Sequence, residues 1–444
     1  MSRLTTFSLR TVALSAAILV PVHAEIDVAR LKTVVHSSVE ADYPKLDALY
    51  KDIHAHPEIA FQEVKTAARL ATEMRALGFE VTEKVGKTGL VAIYKNGDGP
   101  TIMVRTELDA LPMEEKTGLA YASHDKTNWN GHETFVAHSC GHDIHMASWV
   151  GAAKTLVGLK DQWHGTLMFI AQPAEEIVSG AKAMLADGLF TRFGKPDVAF
   201  ALHDTPGPYG TIYYRAGVGS SASDSLEITF HGRGGHGAAP QATIDPVMIA
   251  ARFIVDVQSV ISREKNPTEF GVLSIGAIHG GTAENIIPDS VLLLGTIRSY
   301  KPEVRARMLA GIERTAKTAA AMSDAPAPDI RITAGAKAVM NDPEVVATAA
   351  EVLKTAFGDN FKMSPAGTAS EDFSEFVDAG VPSMFFNIGV YDPERVAAAR
   401  NGGAPLPGNH SPLFAPVPKP TIETGVEAMT LAVLSAFGEH ARGK

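Results

Sequence analysis

The chain has 444 residues, 45% of them hydrophobic and 20% charged, with a net charge of −10. That length exceeds one ordinary core, so two domains are expected, and the apolar share is that of a soluble globular protein. Scattered basic residues in an acidic chain argue against a nucleic-acid or anionic-membrane surface, and no apolar run in the body of the chain is long enough to span a bilayer.

In chain order, the first feature is a leader. Arg3 and Arg10 precede an apolar stretch at 12–20, followed by Pro21-Val22-His23-Ala24. This pattern predicts a signal peptide over 1–24, a periplasmic or secreted protein, and no stable membrane anchor after processing. Removing two arginines and no acids takes the net charge from −10 to −12. Cys140 is the single cysteine, which rules out an intramolecular disulfide and leaves either a buried inert thiol or a metal ligand.

Residues 26–77 carry helical apolar spacing broken by a turn at His56-Pro57, with Gly78 closing the second helix. Strand-like runs follow at 89–94, 101–108, 165–171 and 197–202, with helical patterns at 143–159 and 179–188. The alternation predicts an α/β fold with a mixed, mainly parallel sheet covered by helices on both faces. Such sheets place ligands beyond the carboxyl ends of their strands. Here those ends carry Glu107 and Asp109, Glu175 and Glu176, and His203.

From about residue 220 the order changes to strand 225–231, helix 243–261, strands 270–278 and 290–299, helix 302–322 and strand 329–333. That βαββαβ order predicts a ferredoxin-like domain inserted at 219–334. Helix 342–357, strand 382–388 and helix 421–437 complete the catalytic domain, which is expected over 25–218 and 335–444.

The densest chemistry lies at His138-Ser139-Cys140-Gly141-His142-Asp143-Ile144-His145. Cys140 and His142, two apart, cannot share a helix face, but a turn at Gly141 can aim both at one point. Asp143 suits a helix N-cap. Gln172-Pro173-Ala174-Glu175-Glu176 sets two adjacent carboxylates at a strand end, a costly arrangement unless a metal neutralises it. One can bind the ion while the other takes a proton. His203 and His410 add imidazoles. One cysteine, three histidines and one glutamate suffice for two ions, with a second glutamate as base.

Eight segments in order resemble the M20 family of metallopeptidases, in its aminoacylase, hippurate hydrolase and auxin-conjugate hydrolase branch. They are IHAHPEIAFQE from Ile53, RTELDALP from Arg105, HSCGHDIH from His138, QPAEE from Gln172, GRGGHGAAP from Gly232, GGTAENIIPD from Gly280, SEDFSEF from Ser370 and NHSP from Asn409. The resemblance implies metal ligands at Cys140, His142, Glu176, His203 and His410, with Glu175 as general base and acid. It also implies that His236 polarises the scissile carbonyl, lent in many relatives by the partner subunit of a homodimer formed through the inserted domain. Asn285 and Arg298 are implied for substrate binding, and Asp109 lies beneath the metals. Two divalent ions are expected, zinc favoured over manganese, cobalt or nickel. The substrate is expected to be a small N-acyl amino acid or peptide.

The branch commonly has Asp where this chain has Glu107, to which no role is assigned. The stretch 391–408 is long for its place, and the sequence leaves open whether it shapes the pocket. A serine hydrolase is disfavoured because Gly-x-Ser-x-Gly is absent, and His132-Glu133 lacks the histidine of a single-zinc protease. The remaining alternative is an exported metal- or solute-binding protein without catalysis. Glu175 argues against it, since a metal buffer needs no positioned base.

Overall fold

The computed structural model describes residues 27–442, so the leader expected at 1–24 lies outside the described residues. Helices Val28–Ala55 and Val64–Ala76 open the fold, the first capped by Asp27, whose carboxylate accepts the Arg30 amide. Gly78, at φ +89°, ends the second as a left-handed glycine.

One sheet has eight strands in the order Glu80–Val85, Gly89–Asn96, Gly165–Gln172, Thr101–Glu107, Val198–Pro208, Ser383–Tyr391, Ile212–Tyr214 and Phe361–Met363. The central strands from Gly165–Gln172 to Ser383–Tyr391 run parallel, and antiparallel pairs lie on either side. Successive residues of a strand face opposite ways. Accordingly, Ile102 and Val104 enter one core with helices Val28–Ala55, His142–Gly158 and Pro418–Arg442, while Met103 enters another with Met184, Leu189 and Phe376. Burial on both faces explains why these strands read as continuous apolar runs.

The helix expected at 179–188 is observed as Gly180–Ala186, and a second short helix, Leu189–Phe193, follows after Gly188 turns the chain at φ +85°. The helix 143–159 is observed as His142–Gly158, so Asp143 sits in its first turn and Gly141 occupies the cap position.

A separate four-stranded antiparallel sheet has the order Gly271–His279, Ser290–Ser299, Ala222–His231, Asp329–Ala334. Leu226, Ile228 and Phe230 pack under Phe253, Met308 and Ile312 of helices Pro246–Asp256 and Pro302–Ala321. This is the ferredoxin-like βαββαβ arrangement. Its first helix begins at Pro246 rather than 243, since the Asp245 carboxylate accepts the Val247 and Met248 amides and fixes the start there.

Candidate metal centre

Two strand ends, the middle of the strand Val198–Pro208, which carries His203, and two loops converge on one point. The turn at Gly141 brings Cys140 and His142 together: its φ of +86° suits glycine, and a Cβ there would lie 1.7 Å from Asp204 Oδ2. Cys140, His142 and His203 form one group of potential ligand atoms, Cys140, Glu176 and His410 a second, and His142, Glu175 and Glu176 a third. Cys140 Sγ lies 3.4 Å from His203 Nε2, and His410 Nε2 lies 3.3 Å from Glu176 Oε2. Glu175 Oε2 is 3.9 Å from His142 Nε2.

The ring orientations are set from behind. His142 Nδ1 donates to the Asp109 carbonyl at 2.7 Å, and His203 Nδ1 to the Asp204 carbonyl at 2.8 Å, so each Nε2 lone pair is turned toward the cluster. The Asp109 carboxylate accepts the Glu175 and Glu176 amides, each at 3.0 Å, and so fixes the loop that carries both acids. Asn409 donates to the Cys140 carbonyl at 3.0 Å and to Asp204 Oδ1 at 2.6 Å, and the His410 amide donates to the Ser139 carbonyl. Two non-glycine residues here have left-handed backbones, Ala174 at φ +51° and His410 at φ +66°. Strain of this kind costs about 1–3 kcal/mol and persists where surrounding structure enforces it.

The electrostatics describe a site rich in lone pairs. Burial, then Glu176 and Glu175, push the Cys140 thiol well above its usual range. Burial lifts Glu176 to about 8, and burial with Glu371 and Glu176 lifts Glu175 well above the carboxylate range. Burial holds the His142 imidazole well below its ordinary value. Among the described residues, His142 Nε2, Glu176 Oε1 and Asp204 Oδ2 are buried without any hydrogen-bond partner, the first two 4.0 Å apart. Acids raised, imidazoles lowered and polar atoms orphaned at one point are what a divalent cation would reverse together. The donor set therefore fits metal, and thiolate, imidazole and carboxylate suit a first-row divalent ion.

A cavity of about 970 Å³ opens over this cluster, lined among others by Cys140, Glu175, Glu176, His203, His410 and Arg298. The structure thus gathers the five expected ligands, the expected base and Arg298. It does not bring in His236 or Asn285, which sit side by side on the inserted unit. Gly237 donates its amide to the Asn285 carbonyl, His236 pairs with Ile286, and both His236 and Asn285 are exposed. His236 Nδ1 accepts the Ala238 amide at 3.0 Å, which leaves the proton on Nε2.

Several residues beyond those expected support the site. Glu107 accepts from the Arg105 guanidinium and from His145 Nδ1, while His145 Nε2 accepts the Asp204 amide at 2.9 Å. Arg105, fully buried, also binds Gln172, Glu371 and Asp372. His54 donates to Asp143 at 2.6 Å and to Glu115 at 3.1 Å. Arg105, Glu107 and Glu371 lie in the motifs RTELDALP and SEDFSEF, so the segments were visible even though these contacts were not.

An α/β sheet presenting a Cys/His/Glu cluster at a cavity shared with an inserted ferredoxin-like unit defines a metal-dependent hydrolase. A family model described as Peptidase family M20/M25/M40 matches residues 103–402, and the chain belongs to that family. Hippurate hydrolase of Campylobacter jejuni is 38% identical over 341 residues, 75% of this chain and 85% of that protein. N-acetyl-L-cysteine deacetylase of Bacillus subtilis is 31% identical over 347 residues, 78% of this chain and 80% of that one. The crystal structure of a dinuclear metal-binding M20 peptidase from Bacillus subtilis superposes with a TM-score of 0.71 at 28% identity, over 90% of this chain and 99% of that chain.

Proposed function

We propose that this protein hydrolyses the amide bond of N-acyl amino acids and small peptides, with two divalent ions held by Cys140, His142, Glu176, His203 and His410. The observation that carries this reading is the convergence of those five donors with a second buried carboxylate, Glu175, under one cavity. Bound there, the ions supply an acidified water and a Lewis acid for the carbonyl. Zinc is favoured by the thiolate and imidazoles, with manganese, cobalt or nickel as alternatives.

The chain's own residues do the rest. Glu175 takes the proton of the attacking water on its carboxylate and returns it to the departing amine nitrogen. Arg298 pairs with the substrate carboxylate. His236 offers Nε2–H to the developing oxyanion, and Asn285 beside it binds substrate. Both act in the cleft of a second subunit, in a homodimer formed through the inserted domain at 219–334, with residues 25–218 and 335–444 as the catalytic domain. Hydrolysis of N-benzoylglycine by the metal-loaded protein tests the activity, and absence of any glycine release overturns it. The leader marks the protein for export to the periplasm or beyond. N-terminal sequencing of native protein is expected to begin at or near Glu25, and a start at Met1 contradicts export.

A further inference from the structure

The cavity over the metal donors extends along one row of the main sheet. His203 pairs in register with Asn387, and Asn387 with Tyr213, on three neighbouring strands. Register partners project from the same face, and strands lie about 4.8 Å apart, so the row reaches about 10 Å from the His203 strand. All three residues line the cavity. Tyr213 packs over Gly207, where an added Cβ would lie 2.6 Å from the phenol oxygen, so the absence of a side chain at 207 makes room for this ring. Burial raises the proton affinity of the Tyr213 hydroxyl, and the positive charge of nearby Arg400 opposes that rise. Arg400 is the last residue of helix Pro393–Arg400, within the long stretch 391–408, and it too lines the cavity.

The charge pattern is the second observation. Arg105 and Arg305 are neutralised by carboxylates, Arg105 by Glu371 and Arg305 by Asp224. Arg298, on the inserted sheet, and Arg215 and Arg400, on the catalytic side, border the same cavity, and among the described residues no ion pair ties any of the three to a carboxylate, although Arg215 donates to the Ser364 carbonyl. An ordinary N-acyl amino acid brings one carboxylate, which occupies one guanidinium and leaves Arg400 without an anionic partner.

We infer that the preferred substrates are amides bearing two carboxylates, the second held by Arg400 with Tyr213 and Asn387 beside it. The inference rests on the proposed amide hydrolysis, in which Arg298 takes the α-carboxylate. The second carboxylate belongs either to a dicarboxylic acyl group or to an acidic amino-acid side chain. The chemistry at Arg400 is the same, and matched pairs of substrates separate the two. Rates are compared for N-succinylglycine against N-butanoylglycine, and for N-acetylglutamate against N-acetylglutamine, using metal-loaded wild type and Arg400→Gln. In parallel, calorimetry on Glu175→Gln protein, with and without Arg400→Gln, reads affinity without turnover.

In at least one pair the dicarboxylate is expected to have the higher kcat/KM by about 10- to 100-fold, the range of a charge-assisted hydrogen bond. Which pair shows it identifies the source of the carboxylate. Arg400→Gln should bring that ratio close to one, mainly through KM, and weaken calorimetric binding of the dicarboxylate by a similar factor. Equal rates within both pairs, or a preference that survives Arg400→Gln, overturns the inference. If no amide is hydrolysed, the proposed activity fails, and the calorimetric comparison still decides whether Arg400 binds a second carboxylate.

Discussion

At the scale of single residues, Glu175 carries the sharpest expectation. Its carboxylate lies 3.9 Å from His142 Nε2 and its side chain is 9% exposed, close to the donors yet shielded from bulk water. Glu175→Gln keeps the shape and removes the base. Turnover is expected to fall about 10²–10⁴-fold while bound metal, measured by elemental analysis, stays at the wild-type level. Retained turnover puts the base elsewhere. This residue was legible in the sequence because it is adjacent to a ligand, just as Cys140 is two residues from His142. The supporting contacts were hidden because they form through space: Arg105 reaches Glu371 across 266 positions, and Asn409 reaches Asp204 across 205. Glu107, to which no role could be given beforehand, joins Arg105 to His145.

At the scale of elements, the helix His142–Gly158 ties the donor loop to the first helix through His54. The His54, Glu115 and Asp143 side chains are at most 3% exposed. Burial lowers the His54 imidazole's proton affinity, but its bonds to Asp143 and Glu115 outweigh this and lift it to about 10. A folded value above the unfolded one of about 6.5 stabilises fully below pH 6.5, and the effect is lost as pH rises through about 10. His54→Gln leaves two buried carboxylates without their cation and is expected to cost about 3–5 kcal/mol. The deficit, read by denaturant unfolding, should be largest near pH 6 and shrink toward pH 10. A deficit independent of pH contradicts a charged His54.

The central strands were legible as continuous apolar runs, and helices such as Val64–Ala76 and Pro343–Phe357 by their one-sided apolar spacing. Short strands such as Ile212–Tyr214 and Phe361–Met363 have only three residues each and show no period. The hairpin Lys126–Trp129/His132–Phe135 was overlooked although its turn, Asn130-Gly131, has the positive φ angles of +52° and +84° that this pair favours.

At the scale of the whole molecule, the two sheets have separate cores, and the proposed chemistry is divided between them. His236 is exposed on the inserted unit and does not line the cavity that holds the donors. If it is lent across a dimer, mixing His236→Ala with Glu175→Gln chains regenerates one complete site per hybrid, and activity returns. Subunit exchange without recovery shows that His236 does not act across the dimer. No spacing rule in one sequence reports which chain a residue serves, so this part of the site was legible only through resemblance.

The central claim is that the Cys/His/Glu cluster works by holding two ions, and the most direct test is turnover of N-benzoylglycine against added metal. Chelated protein, verified free of metal, is expected to be inactive and to regain activity with zinc, manganese, cobalt or nickel, saturating at two equivalents per chain. Full turnover by protein shown to contain no metal contradicts the account.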